Sequence, residues 1–146
     1  MKHSYLKYKD DVFRFALSIV KSVDAAEDIT QDTFLKLFEN MESIRNKEKI
    51  KFWLFSTAKN LSLNYISREK RVTKLGENES VPSSESEDYG YIELLSGLSE
   101  DDCQLISLRI IGRFKWQEIA RFLNITENAA KKRYKRLLMK IKEDLL

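Results

Sequence analysis

One face of a predicted helix near the C-terminus carries side chains that could bind DNA. Polar residues recur there at the helical spacing i, i+3, i+4 and i+7. They are Asn128, Lys131, Lys132 and Lys135. When a helix lies in the major groove of DNA, Lys and Asn side chains reach base edges and phosphates. A solvated face of an ordinary bundle helix would carry similar charges, so the neighbouring elements must decide between the two interpretations.

The segment around this face has the pattern of a helix, a tight turn and a second helix. Its first helix has apolar residues at helical spacing, which are Trp116, Ile119, Ala120 and Leu123. Asn124 tolerates the left-handed conformation of a tight helix stop, and Thr126 is a good N-cap for the second helix. Ala120 is small enough to let the two helices cross closely. The spacing therefore predicts a helix-turn-helix motif whose second helix presents the polar face to DNA.

Charged residues are distributed in blocks, although the net charge is only +3. Residues 24–42 include six acids and one base, whereas residues 45–74 include nine bases and two acids. Residues 77–102 include nine acids and no base, and the C-terminal helix is basic again. Such alternation predicts one surface that binds nucleic acid and another that binds a basic protein partner.

Composition argues against several classes of protein. The chain of 146 residues is 42% hydrophobic and 34% charged, which is typical of a globular protein. Cys103 is the only cysteine and His3 the only histidine, so we expect a reducing cytoplasm, no disulfide and no metal site. No apolar run approaches transmembrane length, which predicts no direct membrane insertion. The four glycines are scattered and no Ser/His/Asp or Cys/His set can be assembled, so neither a cofactor nor an enzyme is predicted.

Three helices are predicted in the N-terminal half. The first ends near Val23, and Asp24 is predicted as the N-cap of the second, with Glu27 closing a capping box. The second helix runs to about residue 39, with Phe38 among the apolar side chains turned inward. Its opposite side carries Asp28, Gln31 and Asp32. The third, over residues 50–71, interleaves aromatic residues with Lys and Arg. Most of these aromatics belong in a small core, but aromatics beside a basic edge also stack on single-stranded nucleic acid.

Residues 76–90 are predicted to be a linker, because they contain the only proline, two of the four glycines and many Ser and Glu residues. A second helical domain follows, with a short turn near residues 91–95 and then a helix capped by Ser99 and stopped by Gly112. The sequence therefore predicts an all-α fold of two small helical domains joined by an acidic flexible linker. The predicted boundaries are 1–74, 75–91 and 92–146, and the last segment contains the helix-turn-helix.

Three stretches of the chain resemble the diagnostic segments of a known family. They are AEDITQDTFLKLFEN (26–40), FWLFSTAKNLSLNYISREKR (52–71) and LSEDDCQLISLRIIGRFKWQEIARFLNITENAAKKRYKRLLMKI (98–141). In order and spacing they are similar to the extracytoplasmic-function (ECF) sigma factors, the small two-domain members of the bacterial sigma-70 family. Asn124 stands where the family usually has Gly, and Lys132 and Lys135 replace smaller or aromatic side chains. The promoter sequence therefore does not carry over from other members.

The resemblance assigns roles to particular residues. Asp28, Gln31 and Asp32 resemble the docking surface for the clamp helices of the RNA polymerase beta-prime subunit. Trp53, Lys59 and Asn60 match positions in the helix that binds the minus-ten promoter element. The preceding loop, residues 40–49, resembles a pocket for a flipped-out base of that element and contains Arg45 and Asn46. The residues that match the readers of the minus-thirty-five element are Asn128, Lys131, Lys132, Lys135 and Arg136.

The resemblance also implies a function and partners. It implies an alternative sigma factor that binds core RNA polymerase, through the beta-prime clamp helices and the beta flap, and directs promoter recognition, DNA melting and transcription initiation. It further implies an anti-sigma factor as a partner and a cytoplasmic protein, held at the membrane when that partner is membrane-bound.

Two other interpretations of the residues stay open at this point. A conventional helix-turn-helix repressor or activator would bind palindromic DNA without polymerase, but it leaves the acidic helix and residues 52–71 without a role. The second interpretation is an adaptor protein whose basic helices bind an acidic protein.

Overall fold

Seven α-helices account for the regular structure of the residues that the computed structural model describes, which are 2–44, 46, 48–72 and 87–145. They are α1 (Lys2–Val20), α2 (Val23–Asn40), α3 (Glu48–Val72), α4 (Glu87–Leu95), α5 (Glu100–Ile110), α6 (Trp116–Leu123) and α7 (Glu127–Leu145). These described ranges contain no strand, so the predicted all-α fold is confirmed. The chain divides into two compact units, Met1–Gly97 and Leu98–Leu146.

The first unit is built on α1, α2 and α3, which pack against one another in all three pairs. Phe15, Leu37 and Leu54, one from each helix, are fully buried in their shared core. The ring centroids of Phe15 and Phe55 lie 5.0 Å apart, which joins α1 to α3. Burial of each such side chain contributes about 1.5–3 kcal/mol. The bundle therefore holds the outward faces of α2 and α3 in fixed positions.

The start of α2 differs from the prediction by two residues. Ser22, not Asp24, is the N-cap: it is extended (φ −135°), and its Oγ accepts a hydrogen bond from the Ala25 N–H at 3.3 Å. Ser and Asp are both good caps. Ser22 is the cap here because α1 already ends at Val20 and the left-handed Lys21 (φ 56°) reverses the chain there. Asp24 lies in the first turn instead, where a negative charge favours the helix N-terminus.

The short turn predicted near residues 91–95 is wrong, because these residues are helical and belong to α4. The helix forms because it packs on α1, where Leu95 is only 2% exposed. The Lys21 Nζ donates a hydrogen bond to the Leu95 carbonyl oxygen at 3.1 Å, which satisfies a backbone group at the negative end of α4.

Residues 75–86 of the predicted linker lie outside the described residues. The boundaries at 74/75 and 91/92 stay a prediction, whereas the two compact units divide after Gly97.

The second unit begins with the predicted cap. The Ser99 Oγ accepts a hydrogen bond from the Asp102 N–H at 3.2 Å at the start of α5. Gly112 lies in the turn after α5, and its N–H donates to the Ser107 carbonyl at 2.9 Å. A β-carbon on Gly112 would lie 2.6 Å from the Phe114 ring, so a side chain is excluded there by close packing. The left-handed residue of this turn is Arg113 (φ 55°).

Candidate nucleic-acid interfaces and docking surface

The turn between α6 and α7 has the predicted structure. Asn124 adopts φ 57° and ψ 46°, in the left-handed region. The Ile125 N–H donates to the Ala120 carbonyl at 3.0 Å and closes the end of α6. The Thr126 Oγ1 accepts from the Ala129 N–H at 3.1 Å, which caps α7. The helix stop, the cap and the buried Ala120 that the sequence predicted are therefore confirmed.

A stack of three side chains joins all three helices of the second unit. The rings of Trp116 on α6 and Tyr134 on α7 meet edge to face, with centroids 5.2 Å apart. The Arg109 guanidinium on α5 lies 4.5 Å from the Trp116 ring centroid, and its Nη1 donates to the Phe114 carbonyl at 2.9 Å. Each ring contact of this kind contributes about 0.5–1.5 kcal/mol. The stack therefore fixes α7 against α5 and α6.

The outward face of α7 carries the residues expected to read DNA. All five are exposed: Asn128, Lys131, Lys132, Lys135 and Arg136. Within the part of the chain that the structure describes, no carboxylate lies within 4 Å of the charged nitrogens of these four cations. The first four share one helical stripe, and Arg136 lies at its edge. An unpaired positive stripe on a rigidly held helix attracts a polyanion and can also donate hydrogen bonds to base edges.

Arg133 lies on the same helix but has a different role, which the sequence did not reveal. Its Nε donates to the Asp102 Oδ1 at 2.9 Å, and its Nη2 lies 3.8 Å from the Asp101 Oδ2. Asp102 belongs to the first turn of α5, so this ion pair ties α7 to α5. No signal in the local spacing distinguishes Arg133 from the neighbouring cations, because its partner is 31 residues away.

On α3, two of the three residues expected at the minus-ten element share a stripe. Trp53 is half-buried and Asn60 is exposed, and their separation of seven residues is two helical turns. Lys59 is half-buried and lies about 100° away around the helix, since it directly precedes Asn60. The stripe continues C-terminally through exposed polar residues that sequence reasoning did not assign. They are Asn64, Arg68 and Arg71.

Only part of the loop before α3 is described. Asn46 is exposed, and its carbonyl oxygen accepts a hydrogen bond from the Lys49 N–H at 3.0 Å, where α3 begins. Arg45 lies outside the described residues. The role of both at a flipped-out base therefore stays a prediction.

The outward face of α2 presents the three residues expected to dock on polymerase. Asp28, Gln31 and Asp32 are all exposed, at the spacing i, i+3 and i+4. Two large apolar side chains follow on the outer side of the helix, Leu35 (58% exposed) and Phe38 (62% exposed). The inward position expected for Phe38 is wrong: the core is filled by Phe34 and Leu37, which leaves no inward position for Phe38 near the helix end. The face is acidic at one end and apolar at the other.

Metal-binding and membrane-spanning features are absent from the described residues. No group of three or more His, Cys, Asp or Glu side chains there is arranged to hold a metal ion. None of the described helices combines the length and the apolarity that crossing a bilayer requires.

Known proteins resemble the chain in sequence and structure. Residues 5–72 match the family model for Sigma-70 region 2, and residues 108–144 match that for a Myb-like DNA-binding domain. The RNA polymerase sigma factor SigV of Bacillus subtilis (strain 168) is 30% identical over 148 residues, which cover 94% of this chain and 89% of SigV. The ECF RNA polymerase sigma factor SigM of the same organism is 26% identical over 133 residues, 84% of this chain and 81% of SigM. The solved structure of sigma factor RpoE in complex with the anti-sigma factor NepR, from Bartonella quintana, has a TM-score of 0.77 at 25% identity over 99% of this chain and 95% of that chain.

Proposed function

Because the chain belongs to the extracytoplasmic-function sigma factors of the bacterial sigma-70 family, we propose how three of its surfaces divide the work of transcription initiation. The chain is an alternative sigma factor: it binds core RNA polymerase and directs promoter recognition, DNA melting and transcription initiation. The observation that supports the division is that one chain exposes an acidic and apolar face on α2, an aromatic and basic stripe on α3, and a basic stripe on α7.

The α2 face is the surface for the beta-prime clamp helices. Asp28 and Asp32 would pair with basic groups of the polymerase, while Gln31 supplies a neutral hydrogen-bonding group between them. Exposed apolar side chains beside such charges are typical of a protein interface, and burial of Phe38 would contribute about 1.5–3 kcal/mol. The acids steer association and the apolar end slows dissociation.

The second unit is the partner for the beta flap. Among its described side chains, three large apolar ones are exposed: Ile110 (53%), Leu138 (40%) and Met139 (57%). They lie on α5 and late on α7, away from the early turns of α7 that carry Asn128 and Lys131. The unit can therefore bind a protein and DNA through different side chains.

The α3 stripe captures unstacked bases of the minus-ten element. Separating one base-pair step costs about 1.4 kcal/mol on average, and stacking a base on an aromatic side chain such as Trp53 returns about 1–3 kcal/mol. Capture of one or two bases is therefore enough to nucleate melting, with Asn60 and Lys59 supplying polar contacts and the Arg45–Asn46 loop a pocket for a flipped-out base. No nucleotide hydrolysis is needed.

The early turns of α7 read the minus-thirty-five element as duplex DNA. Lys131 and Lys135 are placed to reach base edges in the major groove, and Arg136, at the edge of the stripe, is placed to contact phosphate. Because core polymerase fixes the spacing of the two DNA-reading surfaces, binding at one element raises the effective concentration at the other. The free protein should bind promoters poorly and with a steep salt dependence.

Regulation and location follow from the same function. An anti-sigma factor is a partner that would compete with polymerase, as the RpoE–NepR complex suggests by analogy. We place the protein in the cytoplasm, where polymerase works, and at the membrane when its anti-sigma factor is membrane-bound. It contributes binding surfaces and no chemical step of its own, so it requires no cofactor.

Run-off transcription tests this function. Core polymerase is assayed on a genomic promoter library with the wild-type chain, with the Asp28→Lys variant, and without either. We expect discrete new transcripts with the wild type only, because Asp28→Lys places a cation against basic groups. A control variant, Glu143→Lys, makes the same charge change at an exposed residue near the end of α7 and should remain active. If the wild type gives no new transcripts, or if Asp28→Lys gives as many as the wild type, the proposal is contradicted.

A further inference from the structure

An open groove lies between α2 and α3 in the first unit. It encloses about 520 Å³ and is lined by Asp32 and Lys36 from α2 and by Leu61, Asn64, Ser67, Arg68 and Arg71 from α3. The six polar or charged side chains among them are exposed to solvent, and Leu61 is half-buried. The groove is therefore accessible to a large ligand that approaches from outside.

The groove is positively charged and its charges are not internally paired. Lys36, Arg68 and Arg71 contribute three cations against the single carboxylate of Asp32. Among the described residues no ion pair within 4 Å joins that carboxylate to any of the three cations. Three cations from two helices that share one concave site with a single carboxylate give it a net positive potential. The chemistry of the groove is therefore that of an anion site.

The position of the groove along α3 indicates which anion binds there. The exposed stripe that begins at Trp53 and Asn60 reaches the groove at Asn64, since these residues recur at intervals of seven and four. From Asn60 to Arg68 the helix rises about 12 Å. One strand of duplex DNA carries a phosphate about every 3.4 Å along its axis, so this distance spans three to four nucleotides. A strand held at Asn60 can place its backbone in the groove.

We propose that the α2–α3 groove binds the phosphodiester backbone of the DNA whose bases are held on α3. Arg68 and Arg71 donate paired N–H groups to phosphate oxygens, a geometry that suits guanidinium groups. Lys36 supplies a third charge from α2, and Asn64 and Ser67 are neutral donors beside it. The site adds affinity without reading sequence. This inference rests on the proposed role of α3 at the minus-ten element.

A nucleic acid fits the groove better than an acidic protein does. The neutral donors Asn64 and Ser67 suit phosphate oxygens, and the site is continuous with a helical stripe that carries Trp53 and an amide. Asp32 borders the groove on the α2 side and has the opposite sign, so it weakens phosphate binding. Replacing it should therefore strengthen binding of nucleic acid.

Fluorescence anisotropy with the free full-length protein tests the site without polymerase. The probe is a labelled mixed-sequence single strand of 20 nucleotides, titrated over a range of salt concentrations. We expect Arg68→Gln and Arg71→Gln each to weaken binding about three- to tenfold at low salt and to lower the slope of log K against log salt by about 0.7. Asp32→Asn should strengthen binding, and Arg68→Lys should retain most of the salt slope because it keeps the charge. Arg14→Gln, which removes an exposed cation from α1, is the matched control.

Two results would overturn the proposal. One is that Arg68→Gln and Arg71→Gln match Arg14→Gln in both affinity and salt slope. The other is that they leave oligonucleotide binding intact but abolish binding to core polymerase, which would assign the groove to polymerase carboxylates. Circular dichroism of each variant confirms that it is folded. Because run-off transcription by the wild type is measured separately, a failure of the groove and a failure of the sigma-factor function are distinguishable.

Discussion

The exposed stripes of α3 and α7 differ in the side chains they carry and in how those side chains are held. The α7 stripe consists of cations and one amide, and α7 is fixed by the Trp116–Tyr134 contact and the Arg133–Asp102 ion pair. The α3 stripe includes the ring of Trp53, and α3 is held by burial of Leu54 and Phe55 in a three-helix core. A stripe of cations suits the edges and phosphates of intact duplex, whereas a ring beside polar groups suits unstacked bases. We therefore propose that the two stripes are specialised for the two states of DNA at a promoter.

The largest expected effect comes from a substitution that destabilises the second unit, which holds α7, and leaves α3 unaffected. In Gly112→Ala the new methyl group would lie 2.6 Å from the Phe114 ring carbons and 2.9 Å from the Leu108 carbonyl oxygen. We expect the second unit to lose about 1–3 kcal/mol of unfolding free energy, measured by thermal denaturation. Arg113→Gly at the adjacent left-handed residue is the control, and it should be neutral or stabilising. Equal melting curves for Gly112→Ala and the wild type would contradict the close packing described for this turn.

A smaller effect separates the supporting cation of α7, Arg133, from the cations proposed to read DNA. Arg133→Ala removes a partly exposed ion pair to Asp102, so we expect a loss of about 1 kcal/mol in stability. Lys132→Ala should change stability by less than about 0.5 kcal/mol, while lowering the salt slope of promoter binding by the holoenzyme by about 0.9. Chemical denaturation and filter binding measure the two quantities. A larger loss of stability from Lys132→Ala than from Arg133→Ala would contradict the supporting role of Arg133.

A third expected effect, similar in size to that of Arg133→Ala, concerns a buried serine of α3 and has the opposite sign. The Ser62 Oγ is buried and has no hydrogen-bond partner among the described residues, so Ser62→Ala should stabilise the first unit by about 1 kcal/mol. Ser18 is the matched control, because its buried Oγ donates to the Phe15 carbonyl at 2.6 Å. Ser18→Ala should show no comparable gain in thermal denaturation. Destabilisation by Ser62→Ala would indicate that the hydroxyl has a role in the core.

Most features set by local chemistry were predictable from the sequence, and the N-cap of α2 is the exception. The left-handed stop at Asn124 and the caps at Thr126 and Ser99 depend on residues within three positions of each other, and all three were confirmed. The exposed faces of α2 and α7 followed from helical spacing. The family could also be recognised, because its diagnostic segments are continuous stretches of sequence.

Features set by distant contacts were not predictable. α4 becomes helical against α1, where Lys21 meets a carbonyl 74 residues away, and no local pattern signals this. Arg133 looks like one more reading cation until Asp102 is seen beside it. The groove needs Lys36 and Arg68 side by side, which only the packing of α2 on α3 provides.

We expect the proposed DNA-reading surfaces to select promoters only when core polymerase holds them. The most direct test measures the affinity of the wild-type protein for a promoter fragment and for a scrambled fragment, with and without core polymerase, at one salt concentration. We expect a strong preference for the promoter fragment with polymerase and little preference without it. Equal discrimination by the free protein would contradict this expectation.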